Sequence, residues 1–120
     1  MSEDATHSGC LFCKIAHEEI PADIVQATDH VVAFRDVRPA APTHVLLIPR
    51  EHIRSAAELT EDHGALLTEI FRVAAHVART EGIDETGWRL VTNVGPDAGQ
   101  SVSHVHFHLL GGRGMEWPPG

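Results

Sequence analysis

The chain has 120 residues, 42% of them apolar, and a formal charge of −8, a length that supports one domain with a core built without disulfides. No apolar run approaches the roughly 18 residues of a membrane span, and the acidic opening Met1-Ser2-Glu3-Asp4 lacks the basic-then-apolar form of a signal peptide, which points to the cytoplasm. The acidic balance argues against non-specific binding to nucleic acid or an anionic membrane, although Arg89, Asp97, Arg113 and Glu116 sum to zero over residues 86–120, so an anionic ligand stays open to that third of the chain.

Residues 1–9 are small and polar and read as a loose arm. Cys10 to Glu19 reads as a short helix stopped by Pro21, with Phe12 and Ile15 on its apolar side. Ile24–Ala27 and Val31–Arg35 read as paired strands around a turn at Thr28-Asp29-His30. A proline-bounded loop, residues 36–42, leads to Thr43–Pro49, whose continuous apolar run predicts a buried central strand. The stretch Arg50–Leu59 reads as a connection into a helix capped by Thr60, with Glu61 and Asp62 in its first turn. Leu67, Ile70, Phe71, Ala74, Val77 and Ala78 recur at helical spacing, and Gly82 suits the C-terminal cap.

Trp88–Val94 alternates as a strand, the loop of residues 95–101 is rich in glycine, and residues 111–120 form a Gly/Pro-rich tail holding Trp117. Helix, three strands, long helix, two strands, with short strand connections, predicts an α+β fold. Its sheet would be antiparallel, of about five strands, with one long and one short helix packed on it.

The stretch with the densest chemistry is Ser103 to Leu110. His104, His106 and His108 alternate with Val105, Phe107 and Leu109. In an extended strand that places three imidazoles on one face and the apolar side chains on the other. Imidazole can bind a metal, move a proton or attack an electrophile near neutral pH. Just upstream, Gly99, Gln100 and Ser101 offer backbone amides, a carboxamide and a hydroxyl, and Asn93 a further donor, a set suited to an oxyanion such as phosphate. With no triad serine, no cysteine beside these histidines and no dense carboxylate cluster, an imidazole is itself the available nucleophile at phosphorus.

His106 is the natural choice, since neighbours on both sides can orient it. His108 is then placed for phosphoryl oxygens or leaving group, and His44 for completing the constellation. Separately, Cys10-x-x-Cys13 in a reducing compartment suggests metal or redox chemistry. Tetrahedral zinc needs two more ligands, for which His52 and one triad histidine are candidates.

These residues match a known pattern. His104-Val105-His106-Phe107-His108-Leu109-Leu110 resembles the signature of the histidine triad superfamily of nucleotide hydrolases and transferases. The likeness runs over roughly residues 10–120, a single domain. It takes in Phe12-Cys13-Lys14-Ile15, Ile20-Pro21-Ala22, Ala33-Phe34-Arg35-Asp36-Val37, residues 41–49, Gly99-Gln100-Ser101-Val102 and Gly111-Gly112-Arg113. The ending Trp117-Pro118-Pro119-Gly120 resembles the Hint branch, the purine nucleoside phosphoramidases.

The resemblance implies hydrolysis of adenosine or guanosine 5′-phosphoramidates through a nucleotidyl-histidine. His106 would be nucleophile, Asn93, Gln100, Ser101 and His108 would hold phosphate and leaving group, and His44 and His104 would support the wall. It implies that Gly99 and Val102 belong to the substrate-binding loop and that Asp36 accepts the ribose hydroxyls. Phe12, Ile15, Ile20, Phe34 and Val37 would form an apolar slot for the purine. It implies no catalytic cofactor, and a homodimer that continues one sheet across two subunits, with the C-terminal tail and Trp117 near the partner's site. The cysteines depart from the animal Hint pattern and resemble bacterial members in which Cys10, Cys13, His52 and His104 would hold a structural zinc. Competing expectations are dinucleoside polyphosphate hydrolysis, as in the Fhit branch, a nucleotide-binding or interaction module with incidental hydrolysis, and a zinc hydrolase.

Overall fold

A computed structural model describes residues 9–120. The expected N-terminal arm, apart from Gly9, lies outside the described residues. The elements are α1 (Leu11–Ala16), β1 (Ile24–Ala27), β2 (Val31–Arg35), β3 (Thr43–Pro49), two 3₁₀ turns (Ala56–Glu58 and Glu61–His63), α2 (Gly64–Thr80), β4 (Trp88–Val91) and β5 (Phe107–Gly111). The five strands form one antiparallel sheet in the order β1-β2-β3-β5-β4. This is the expected α+β architecture, with one long and one short helix.

Strand periodicity explains how the two helices divide the sheet. Val31 and Ala33 of β2, Val45 and Leu47 of β3, and Phe107 and Leu109 of β5 share one face with Ile70, Val73, Ala74 and Val77 of α2. Their neighbours Val32, Phe34, Leu46 and Ile48 turn to the opposite face and pack on Phe12, Cys13, Ile15 and Ala16 of α1. β3 is covered on both sides and buried along its whole length, hence its unbroken apolar run. Each fully buried aliphatic side chain here, Leu47 or Leu109 for instance, stabilises the fold by about 1.5–3 kcal/mol. At the end of β5, Gly111 lies so close to Ile83 that an added Cβ would stand 2.4 Å from its Cδ1.

Several boundaries differ from the sequence-based expectation. Cys10 is the N-cap of α1 and not its first residue: its Sγ accepts from the Cys13 N–H at 3.3 Å. The helix stops at Ala16, well before Pro21, and Glu18 turns the chain with φ +61. Thr60 caps a 3₁₀ turn and not α2 directly. The Thr60 hydroxyl accepts from Asp62 N–H while His63 Nδ1 accepts from Thr60 N–H, a reciprocal cap that closes the turn before the α-helix starts at Gly64.

On α2, Val73 is buried in place of Phe71, which is 52% exposed and makes an edge contact with Phe107. β4 ends at Val91, short of the expected Val94, because its partner strand begins only at Phe107. Ahead of that point Val105 N–H is diverted to Ile53 O at 2.6 Å, and Thr92 is tied to His106 O through its hydroxyl at 2.8 Å.

Candidate active site and metal centre

A line of paired residues runs across the sheet: Ile24, Phe34, Leu46, His108 and Val91. Phe34, Leu46 and His108 of that line floor a cavity of about 470 Å³ under α1. Leu11, Phe12 and Ile15 form the helix side, Pro21, Ala22 and Asp23 the far end, Arg35, Asp36 and Val37 the rim, and Ser101, Val102 and His106 the near end. Leu11 and Val37 are 49% and 94% exposed, so the cavity has apolar lips left open to solvent.

Only His108 of the three triad histidines lies within β5, whereas a strand from Ser103 to Leu110 was expected. The alternation nevertheless persists ahead of the ladder. Val105, Phe107 and Leu109 all enter the α2 core, and the rings of His104 and His106 both stand edge-on to Phe12, at 6.1 and 5.0 Å between centroids. His106 and His108 follow at 5.1 Å.

Hydrogen bonds assign a proton to each ring. His104 Nε2–H donates to Pro49 O at 2.9 Å, which leaves Nδ1 as a lone pair. His106 Nδ1–H donates to His104 O at 2.8 Å, so Nε2 carries the free lone pair. Ala40 N–H donates to His44 Nδ1 at 2.9 Å, so His44 Nε2–H donates in turn to His108 Nδ1 at 2.9 Å, and the remaining proton of His108 sits on Nε2. Asp36 Oδ2, 3.5 Å from His44 Nε2, steadies that ring, while Asp36 Oδ1 accepts from Arg38 N–H at 2.7 Å. The pair His106 and His108 therefore presents a lone pair and an N–H side by side.

Burial pushes His108 down to about 4, helped by the neighbouring His106 and His44 and opposed by Asp36. Burial also lowers His44, against the pull of Asp36. Both rings are thus neutral in the folded protein where an unfolded histidine takes up a proton. Between pH 6.5 and about 4 the unfolded chain binds more protons at His108, so stability falls as pH drops through that window, and the lowered His44 acts in the same direction. Urea midpoints at pH 7, 5.5 and 4.5 should converge for His108→Gln and wild type as the pH falls; parallel lines would show that His108 contributes nothing to acid lability.

A second cluster adjoins the first. Cys10, Cys13, His52 and His104 bring two Sγ and two ring nitrogens within 4.8 Å of one another. His104 Nδ1 lies 3.3 Å from Cys10 Sγ and 3.4 Å from Cys13 Sγ, and His52 Nδ1 lies 3.2 Å from Cys13 Sγ. Burial pushes the Cys13 thiol up to about 12, aided by its hydrogen bond to Cys10 and by the charges of Cys10 and Glu19. Two thiols and two imidazoles, with the His104 lone pair turned toward both sulfurs, suit a tetrahedral metal site, and the Pro49 carbonyl supplies the outer hydrogen bond that orients such a ligand.

Other expected site residues fall elsewhere. The Gln100 carboxamide staples its own loop, accepting from Gly95 N–H at 3.0 Å and donating to Arg54 O and Val102 O at 2.8 and 3.0 Å. It is a brace, not a free donor for phosphate. Gly99 (φ +86) gives the loop its turn without lining the cavity. Ile20 packs at the edge of the α1 core outside the cavity. Asn93 lies beyond His108, in a separate hollow of about 360 Å³ roofed by Pro118–Gly120. Arg113 Nε and Arg89 Nη2 hold that tail in place through Ala40 O and Glu116 O, with Trp117 83% exposed. Six cavity-lining residues were given no site role from the sequence: Pro21, Ala22, Arg35 and Leu46 lie inside segments that carry the resemblance, and Leu11 and Asp23 lie outside them. The register at Phe34 and Leu46 is the signal that could have found them.

Comparison with known proteins follows the same lines. The HIT domain profile matches residues 17–115. A HIT-like protein of Synechococcus elongatus is 49% identical over the full length of both chains. The purine nucleoside phosphoramidase of Escherichia coli K12 is 48% identical over 103 residues, 86% of this chain and 87% of that protein. A 14 kDa zinc-binding protein of Zea mays is 46% identical over 94% of this chain and 89% of its own. A crystal structure of a HIT family hydrolase from Legionella pneumophila superposes with a TM-score of 0.91 at 52% identity, covering 93% of this chain and all of that one. With the domain profile, the triad geometry and relatives of this similarity in agreement, the chain belongs to the histidine triad (HIT) family.

Proposed function

We propose that this protein hydrolyses purine nucleoside 5′-phosphoramidates to the nucleoside monophosphate and an amine. The observation that carries the reading is the hydrogen bond from His106 Nδ1–H to His104 O, which leaves an unprotonated Nε2 on a residue lining the cavity. That nitrogen attacks phosphorus, the P–N bond breaks, and the amine departs with a proton drawn from water. Water then cleaves the P–Nε2 bond, releasing the nucleotide and restoring His106. His108 stays neutral at physiological pH, so its Nε2–H serves as a hydrogen-bond donor to the phosphoryl oxygens, oriented in advance through His44.

Ser101 supplies a hydroxyl at the same end, and Asp36 stands where a carboxylate can accept both ribose hydroxyls. Phe12, Ile15, Phe34, Val37 and Val102 enclose the base. The 48% identity to the Escherichia coli phosphoramidase supports the choice of substrate class.

We assign zinc to the four-residue cluster, on the donor set and on the likeness to zinc-binding relatives. Cys10, Cys13, His52 and His104 would hold it, and its contribution would be structural, fixing the ring of His104, the residue whose backbone carbonyl orients His106. The working unit of residues 10–120 is a homodimer in a reducing cytoplasm. Among the described residues β4 is an edge strand that a second copy could extend, and exposed Phe71 and Trp117 are apolar groups a second subunit would cover. Light scattering should give twice the 13.1 kDa chain mass.

The test of the function is mass spectrometry of protein quenched during turnover of an adenosine phosphoramidate. A nucleotide attached at His106 is expected. Turnover with no adduct in rapidly quenched samples, or an adduct on another residue, overturns the mechanism.

A further inference from the structure

We propose that Asp23 reads the far edge of the bound purine and biases the slot toward guanine. The inference rests on the nucleotide reading of the cavity. Along the line of paired residues, Phe34 is two strands from His108 and β1 is three, about 10 and 14 Å at the usual strand spacing. With phosphorus at His106 and His108 and the ribose at Asp36, the base lies between Phe12, Ile15 and Phe34, and its outer edge meets Pro21, Ala22 and Asp23.

That end of the cavity is rich in acceptors. Pro21 has no N–H, and Ile24 N–H is already given to Ala22 O at 3.1 Å. The Asp23 carbonyl takes Arg35 N–H at 3.0 Å. Arg35 offers little in return. Both of its terminal nitrogens are bound to Glu81 at 2.9 Å, and its Nε faces Asp23 Oδ2 at 3.7 Å. Arg35 therefore holds the Asp23 carboxylate at the rim without competing for the base. Asp23 is 73% exposed in its side chain, so it reaches a ligand at no burial penalty.

A carboxylate presents two acceptor oxygens side by side. Guanine matches it with two adjacent donors, N1–H and the N2 amine. Adenine places a lone pair at N1 beside its single amine, and that lone pair opposes the carboxylate. The discrimination is a partly solvated one, so a preference of about fivefold in kcat/KM is expected. Inosine, which keeps N1–H and lacks the N2 amine, should fall between the two.

The experiment compares guanosine, inosine and adenosine 5′-phosphoramidates on the wild-type protein and on Asp23→Asn and Asp23→Ala, together with equilibrium binding of GMP and AMP. The expected result is guanosine over inosine over adenosine in wild type, and a guanosine-to-adenosine ratio near one in both variants. Equal rates in wild type, adenosine preference, or a ratio unchanged in the variants overturns the proposal. Absence of turnover on all three substrates would count against the phosphoramidase reading alone. The GMP-to-AMP affinity ratio would then decide the Asp23 assignment by the same criterion.

Discussion

His106→Ala is expected to lower phosphoramidate turnover by roughly a thousandfold or more, the scale seen when a group that forms the covalent intermediate is removed. The protein should still fold. His106 is 3% exposed and its ring contacts Phe12 and His108, so truncation leaves a small cavity costing about 2–3 kcal/mol. Most of the core lies elsewhere, on the α2 face. The check is a steady-state assay paired with a thermal melt and with the quenched-sample mass spectrum. Turnover above a few per cent of wild type in a folded variant would exclude an imidazole at this position as nucleophile. His108→Ala makes the useful contrast. In the proposed mechanism its neutral ring would donate to the phosphoryl group without bonding to phosphorus, so its loss should slow turnover by a smaller factor and leave the His106 adduct detectable.

The sequence was most legible where one periodicity governed. β1, β2 and β3 run over the residues that alternation and the apolar run predicted, because each strand answers to the two faces it must bury. The triad was half legible. Period two correctly sends Val105, Phe107 and Leu109 into the α2 core, yet the ladder starts only at Phe107. Val105 N–H goes instead to Ile53 O, 52 residues earlier in the chain. Gln100 shows the same limit in a side chain. A carboxamide in a glycine loop beside histidines invites a ligand, but its amide nitrogen is taken by Arg54 O, in a segment no local pattern connects to it. Phe71 fitted the helical stripe and lies just outside it. Long-range pairing, and not composition, decided each of these.

The second large effect concerns the cysteine cluster. α1 carries Cys10 at its cap and Cys13 one turn on, and between and beyond them Phe12 and Ile15, which wall the cavity. The same cluster takes His104, whose carbonyl holds the His106 proton, and His52, just after β3 ends at Pro49. Three distant segments thus meet at four side chains, and both the helix wall of the cavity and the His106 ring hang from them.

A six-residue helix has little stability of its own. With Cys13→Ala, or after exhaustive chelation, the protein should lose on the order of 3–5 kcal/mol of stability. KM should rise as the Phe12 wall loosens, and kcat should fall as the His104 carbonyl loses its fixed position. Metal analysis of untagged protein should return one zinc per chain for wild type and a small fraction of that for the variant. A chelated protein that keeps its melting temperature and its full kcat/KM would show that α1 and His104 are held by packing alone, and the coupling from the cysteines to His106 would have no physical basis.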